Sequence, residues 1–268
     1  MTVSNMTTPL GARMFANPRT GGTVHTYVAP PDGLFVTSHL VETEHELTLI
    51  DAQFRPEHAA EVKAYADSLS KPIARMIVTH AHPDHFVGAK TFGDIPIHAT
   101  AEARDFIAQA GPAVIEHYGF KTGVAVPTHP LVEGSQTLDG LTFEFRVMKN
   151  AEATENVVVL LPELGVLVGQ DIVYNGTHLY LDRRTFEGWR LALAELRRLR
   201  GYDLVLAGHG EPATPAVYDE VEGYLDVAER VFRDATSAQQ VRDAMVRAYP
   251  NATGATLLDL GLQRMGLT

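Results

Sequence analysis

His80, His82, Asp84 and His85 stand within the stretch VTHAHPDHFVG, residues 78–88. Imidazole nitrogen and carboxylate oxygen are the donors that a divalent ion of the zinc type accepts, and a catalytic site of that type keeps one coordination position open for water. The stretch directly follows the apolar run 73–78, which reads as a strand, so the four side chains sit on a loop leaving a strand end. Such a loop can turn His80 and His82 toward one point and Asp84 and His85 toward another. Four donors this close suggest two adjacent ions. An isolated histidine on a turn more often satisfies nearby backbone, but the density and place of these four weigh against that.

Two ions need more ligands than one loop supplies, and the chain offers them after other apolar runs. Asp171 follows one in LVGQDIVY, and His209 follows another in LVLAGHGEP. Taken singly, each is as easily a capping or loop residue; beside the cluster they join the ligand set. The chain has no cysteine, so thiolate ligation and disulfides are both excluded and any metal must be held by imidazole and carboxylate.

The elements that would position these residues read as an alternation of strands and helices. Residues 34–42 and 47–51 read as neighbouring strands, a helix follows Pro56 and ends near Pro72, and strand 73–78 leads into the cluster. A helix is expected over 101–110, while 111–130, rich in Gly and Pro, is either a lid or a connection. Strands at 141–148, 156–163 and 165–171 lead to a helix at 188–200 and a strand at 203–210. From about residue 215 onward the pattern is of amphipathic helices packed on the outside, equally able to cover the core or to form a homodimer face. Two β-rich halves with flanking helices imply an α/β protein, a four-layer αββα sandwich forming a single domain over 1–268.

Composition sets outer bounds. With 268 residues, 45 % of them hydrophobic, the chain can bury a sizeable core. A formal net charge of −11, with no basic stripe, disfavours nucleic acid as a partner. No apolar run reaches the length of a membrane span and the first thirty residues lack a basic leader with an apolar core, so no membrane association and a cytoplasmic location are expected.

With these residues in place the chain resembles the metallo-β-lactamase-fold hydrolase superfamily, whose pattern joins an H-x-H-x-D-H loop to an Asp at a strand end and a final Gly-His. The resemblance runs from roughly residue 34 to 211. It implies a metal-dependent hydrolase with two divalent ions, zinc first, and a metal-bridging hydroxide. His80 and His82 would hold the first ion, Asp84, His85 and His209 the second, and Asp171 would bridge them. Asp84 would also relay the proton from water to the leaving group, as the catalytic residue.

One departure stands out. Where most members carry a histidine in a short turn, this chain reads KNAEATENVVVLLPE, with Glu152 in that place and Glu155 near enough to compete. That resembles the alkylsulfatase branch, in which a Glu-Ala dipeptide supplies a carboxylate ligand; manganese or iron(II) would suit it as well as zinc. With Glu152, Asp84 and Asp171 all ionised, two divalent ions and a hydroxide come close to neutral, less positive than a histidine version.

Substrate contacts are expected from the loop after Asp171, which carries Tyr174, His178 and Tyr180. Trp189 is expected to pack a helix onto the sheet instead, and His25, His39, His45, His58, His98, His117 and His129 receive no functional role. The expected reaction is hydrolysis of an ester-like bond in a small molecule, a lactone or carboxylic ester first. The alternatives are an alkylsulfatase-like sulfate ester hydrolase, a β-lactam hydrolase, an iron oxygenase on the same scaffold, or a metal-containing effector that binds a ligand without turnover.

Overall fold

The computed structural model describes residues 4–266, whose strands form one eight-stranded and one five-stranded sheet. In the larger sheet β1 (Ser4–Thr7), β2 (Arg13–Arg19), β3 (Gly22–Val28), β4 (Thr37–Glu42) and β5 (Leu47–Ile50) run as an antiparallel meander. Helix α1 (Pro56–Ser68), with proline at its first position where a missing N–H costs nothing, carries the chain to β6 (Ile73–Ile77), parallel to β5. After the single turn α2 (Pro83–Phe86), the parallel part continues through β7 (Ile97–Ala99), α3 (Ala101–Tyr118) and β8 (His129–Pro130).

The smaller sheet holds β9 (Gly134–Leu138), β10 (Leu141–Lys149), β11 (Glu155–Leu161) and β12 (Val166–Asn175), all antiparallel. Helix α4 (Phe186–Arg198) crosses back to β13 (Leu204–Gly210), parallel to β12. Helices α5 (Val217–Asp234), α6 (Ala238–Ala248) and α7 (Ala255–Arg264) follow.

Three apolar clusters show how these elements stack. Val24, Val41, Ile50 and Ile77 of the large sheet meet Phe143, Phe145, Val157 and Val168 of the small one, which fills the space between the sheets. Leu47, Leu49 and Met76 face the other way, onto Val62 of α1 and Ile107 of α3. Leu160, Leu167 and Val205 face onto Trp189 and Leu193 of α4, Val221 and Leu225 of α5, and Leu257 of α7. The architecture is therefore the four-layer αββα sandwich, with non-directional burial of apolar area as its main driving force. Trp189 is fully buried and donates its indole N–H to the Ile172 carbonyl at 2.9 Å, fixing α4 to the sheet. Among the described residues no helix is long and apolar enough to cross a membrane.

The structure differs from the sequence expectations at several places. Strands β1 to β3 were not anticipated, because β3 is buried along most of its length and its polar Thr26 and His25 break the alternation a half-buried strand would show. Residues 34–36 are not strand: Leu34 and Phe35 take φ of 62° and 58° after a 3-10 turn at Pro31–Gly33. Helix α3 runs eight residues past the expected end, straight through Pro112. The carbonyl that Pro112 leaves without a partner, that of Ala108, belongs to an exposed residue, so water can satisfy it. Asp171 is not at a strand end. The β12–β13 ladder shifts register around residues 168–174 and resumes with Tyr174 opposite His209, so Asp171 projects from an irregularity inside β12.

Candidate metal centre

The site forms where the β6–α2 loop, β12, β13 and the turn before β11 converge. Asp51, just after β5, holds the start of the loop: it accepts from the Thr79 backbone N–H at 2.8 Å and from the Thr79 hydroxyl at 2.7 Å. The Thr79 carbonyl in turn accepts from Val157 N–H of β11, which ties the loop to the second sheet. Gly208 makes room on the other side, because a Cβ there would lie 1.8 Å from Asp171 Oδ1.

Seven side chains meet at this point, all nine-tenths or more buried except His82. Asp171 lies at the middle: its Oδ2 is 3.5 Å from His80 Nε2 and 3.4 Å from His209 Nε2, and its Oδ1 is 3.2 Å from His85 Nε2. On one side Glu152 lies 3.2 Å from His82 Nδ1 and 3.7 Å from His80 Nε2. On the other, Asp84 Oδ2 lies 3.3 Å from His209 Nε2 and 3.8 Å from His85 Nε2. Two groups of donors can each hold an ion, His80, His82, Glu152 and Asp171 in one, and Asp84, His85 and His209 in the other; a third set, Asp51, His80 and His85, is as close, but its Asp51 is already engaged by Thr79, His85 and Gln170. Glu155 is outside them all; it is on β11, paired with Lys149.

Hydrogen bonding fixes which ring nitrogen is bare. His209 Nδ1–H donates to the Leu34 carbonyl at 2.8 Å, and a carbonyl can only accept, so in the neutral ring Nε2 carries the lone pair. The Thr79 hydroxyl donates to Asp51, so it accepts from His80 Nδ1–H at 3.1 Å, which leaves His80 Nε2 bare as well. His85 Nδ1–H donates to Asp51 Oδ2 at 2.7 Å, with the same result. In their neutral forms the three rings thus turn lone pairs toward carboxylate oxygens, with His80 Nε2 also 3.2 Å from His82 Nδ1, so each needs a proton or a metal ion in between. Acceptor against acceptor in a buried site is unfavourable unless a cation lies between them. His85 Nε2, Asp171 Oδ1 and Glu152 Oε1 are buried without any hydrogen-bond partner.

The electrostatics point the same way. Burial pulls the His209 imidazole down, but Asp171 and Asp84 outweigh it and push the group up to about 10. His85 is raised well above its ordinary range against the same burial penalty, by Asp171, Asp51 and Asp84. Burial raises the Asp171 carboxyl, but His85, His209 and His80 together hold it well below its ordinary range. The cluster demands positive charge, and the residues present fit divalent cations.

Beneath the ligands is a polar layer that sequence reading missed. Asp51 also accepts from the Gln170 side-chain amide, whose oxygen accepts from His39 Nε2–H at 3.2 Å; His39 Nδ1 accepts from Thr26 at 3.0 Å. Asp51 and Gln170 both have positive φ, 58° and 42°, and such a conformation costs a non-glycine residue roughly 1–2 kcal/mol. The signal for Asp51 was present, an acid closing an apolar strand, the same one that marked Asp171.

The expected substrate contacts divide three ways. Tyr174 lines the cavity as expected and also positions ligands, stacking on His209 with ring centroids 4.8 Å apart and donating to Asp171 Oδ2 at 3.1 Å. Tyr180 lies at the cavity wall with its ring edge on His82. His178 does not reach the cavity: its Nδ1 pairs with the Tyr224 hydroxyl at 2.8 Å, inside the helical layer. A cavity of about 380 Å³ opens over Asp84, Asp171 and His209, walled by Phe54, Tyr118, Leu257 and Leu260. His117, given no role from sequence, also lines it. Leu257 and Leu260 belong to α7, so the C-terminal helices border the site as well as covering the core.

Residues 31–209 match the family model described as the metallo-beta-lactamase superfamily. A linear primary-alkylsulfatase of Pseudomonas sp. is 26 % identical over 251 residues, covering 78 % of this chain and 46 % of that protein. The alkyl/aryl-sulfatase BDS1 of Saccharomyces cerevisiae is 26 % identical over 223 residues, covering 65 % of this chain and 34 % of that protein. The chain thus spans about half the length, or less, of the curated relatives it matches. A metallo-beta-lactamase from Pontibacter korlensis superposes with a TM-score of 0.63 at 17 % identity, covering 84 % of this chain and 99 % of that one. The metallo-beta-lactamase FIM-1 from Pseudomonas aeruginosa, in its mono-zinc form, gives 0.62 at 20 %, covering 80 % and 95 %. At these identities the structural likeness speaks for the fold alone.

Proposed function

We propose that this chain, which belongs to the metallo-beta-lactamase superfamily, is a metal-dependent hydrolase that cleaves an ester-like bond in a small molecule, a lactone or carboxylic ester first. His80, His82 and Glu152 would hold one divalent ion and Asp84, His85 and His209 a second, with Asp171 shared; zinc suits this donor set, and manganese or iron(II) are compatible with it. The observation that carries this reading is the set of three imidazole Nε2 lone pairs fixed toward buried carboxylates by partners on their far sides.

Divalent cations bound there would supply Lewis acidity, making water nucleophilic near neutral pH and polarising the bond it attacks. The protein's own contributions follow from the geometry. Phe54, Leu257 and Leu260 hold the apolar part of the substrate and exclude bulk water. Asp84, which lines the cavity, would pass the proton of the attacking water to the departing alkoxide, giving an acid and an alcohol. Tyr174 keeps Asp171 and His209 in register, and Tyr180, at the cavity wall beside Arg264, would offer its hydroxyl as a donor.

Hydrolysis of sulfate esters is the second reading, favoured by Glu152 and by the two sulfatase relatives. Purified protein should be measured for metal content and assayed against lactones, aryl esters, thioesters, alkyl sulfates and β-lactams. Two ions per chain with turnover of carboxylic esters or lactones is the expected result. Turnover of alkyl sulfates alone would transfer the assignment to the second reading, and metal-loaded protein inert toward the whole panel would overturn both.

A further inference from the structure

The last helix brings a cation to the junction between two cavities. Gly261 of α7 lies directly against Leu181, where a Cβ would stand 2.5 Å from the Leu181 carbonyl oxygen, so only glycine permits this docking. Buried Leu257, Leu258 and Leu262, with an Arg242–Asp259 ion pair at 2.8 Å, hold the same helix on α6 and the core. Its final turn therefore places Arg264 beside Tyr180. There Arg264 borders both the apolar cavity and a second, polar cavity of about 340 Å³ whose walls include Glu102, Thr154, Asp182 and Thr185. Only His82 and Tyr180 are shared between the two cavities in the same way.

The other cation on the polar cavity, Arg184, is already paired with Asp182. Arg264 lies against the Tyr180 hydroxyl and near the Asp182 charge, but it forms no salt bridge with a carboxylate among the described residues, and the planar fork of N–H donors on this exposed side chain keeps donors free for a ligand at the junction. The site floor offers an anion little else, since Glu152, Asp84 and Asp171 offset most of the charge two divalent ions would bring.

We propose that Arg264 determines specificity by binding an oxyanion of the substrate, so that the preferred substrate is amphiphilic, with an apolar arm in the cavity walled by Phe54 and Leu257 and an anionic group at the Tyr180 junction. A guanidinium fork matches the paired oxygens of a carboxylate or a sulfate and binds them with charge-assisted hydrogen bonds. Arg264 acts within the hydrolase reading above, and the test separates the two.

Metal-loaded full-length protein and its Arg264→Gln and Arg264→Lys variants are compared on phenyl hexanoate, on the monophenyl ester of adipic acid and on hexyl sulfate. In parallel, equilibrium binding of adipate and of hexanoate is measured by calorimetry, which needs no turnover. Arg264→Gln is expected to lose about 10-fold more kcat/KM on an anionic substrate than on phenyl hexanoate, with part of the difference regained in Arg264→Lys. A selective loss on the adipate monoester identifies a carboxylate on the substrate's second arm; a selective loss on hexyl sulfate identifies the oxygens of the scissile group. Adipate is expected to bind about 10-fold more tightly than hexanoate, a gap that closes in Arg264→Gln. Equal losses on all three substrates, or an adipate gap that is absent or survives Arg264→Gln, would overturn the assignment. No turnover of any substrate with the binding gap intact would count against the hydrolase reading and support the role of Arg264.

Discussion

Two polar layers lie one above the other at the meeting of the sheets, and they obey opposite rules. In the lower one, Asp51, Thr79, Gln170, His39, Thr37 and Thr26 satisfy each other's side-chain donors and acceptors. In the upper one, His85 Nε2, Asp171 Oδ1 and Glu152 Oε1 are buried with no partner, and acceptors face acceptors. Burial is nearly complete in both. The difference teaches what each is for: a satisfied network rigidifies, whereas an unsatisfied one at the same depth is tolerable only if something outside the chain completes it. The lower layer aims the rings; the upper layer receives the charge.

Removing the centre of the upper layer should have the largest effect. Asp171→Ala deletes the carboxylate proposed to be shared between the two ions, and catalytic activity is expected to fall by about 10³-fold or more, with metal content measured alongside falling below one ion per chain. If instead two ions remain, the two groups do not share Asp171.

Asp51→Ala attacks the lower layer and should propagate upward. His85, Thr79 and Gln170 would lose their common acceptor, and a loss of about 10–100-fold in metal affinity is expected from a competition titration. A variant that is less stable yet binds metal as tightly as the wild type would show that the lower layer supports only the fold.

Chelation separates the layers without mutation. With ions at about 100 times their Kd, removal should cost about 2.7 kcal/mol per ion, about 5.4 kcal/mol for the pair, and lower Tm by roughly 10–20 °C, while unfolding stays cooperative because the lower layer is intact. An unchanged Tm would mean that the upper layer needs no cation.

The smallest effect concerns pH and the lower layer alone. Burial lowers the His39 imidazole to about 4, against the bonds to Gln170 and the Asp51 charge that favour its protonated form. Between pH 6.5 and about 4 the unfolded chain therefore holds a proton that the folded chain does not. The associated stability is complete above 6.5 and falls on acidification by about 1.4 kcal/mol per pH unit. Urea unfolding of His39→Gln should show a shallower dependence over that window; an identical slope would mean that His39 is protonated in the fold.

His80, His82, Asp84, His85, Asp171 and His209 were legible because they follow apolar runs, even though Asp171 escapes the core at an irregularity inside β12 and not at a strand end, whereas Glu152 was legible only from the family resemblance. The sandwich was legible from apolar runs such as 141–148 and 156–163. What was not legible depends on contacts remote in sequence. Strand β3 is buried along most of its length, which erases its alternation, and α3 crosses Pro112 because the orphaned carbonyl is exposed to water. His178 was drawn to the site by its place in a loop, but Tyr224, forty-six residues away, takes its ring. Arg264 reaches the site only because Gly261 lets α7 dock on Leu181, which no local pattern announces.

The central claim, that the upper layer cages a pair of cations, is tested most directly by anomalous diffraction from crystals of the metal-loaded protein, collected on either side of the metal's absorption edge. Two peaks about 3.5–4 Å apart are expected, one among His80, His82 and Glu152, the other among Asp84, His85 and His209, with Asp171 between them. No peak at this position, or peaks only at other residues, would contradict it.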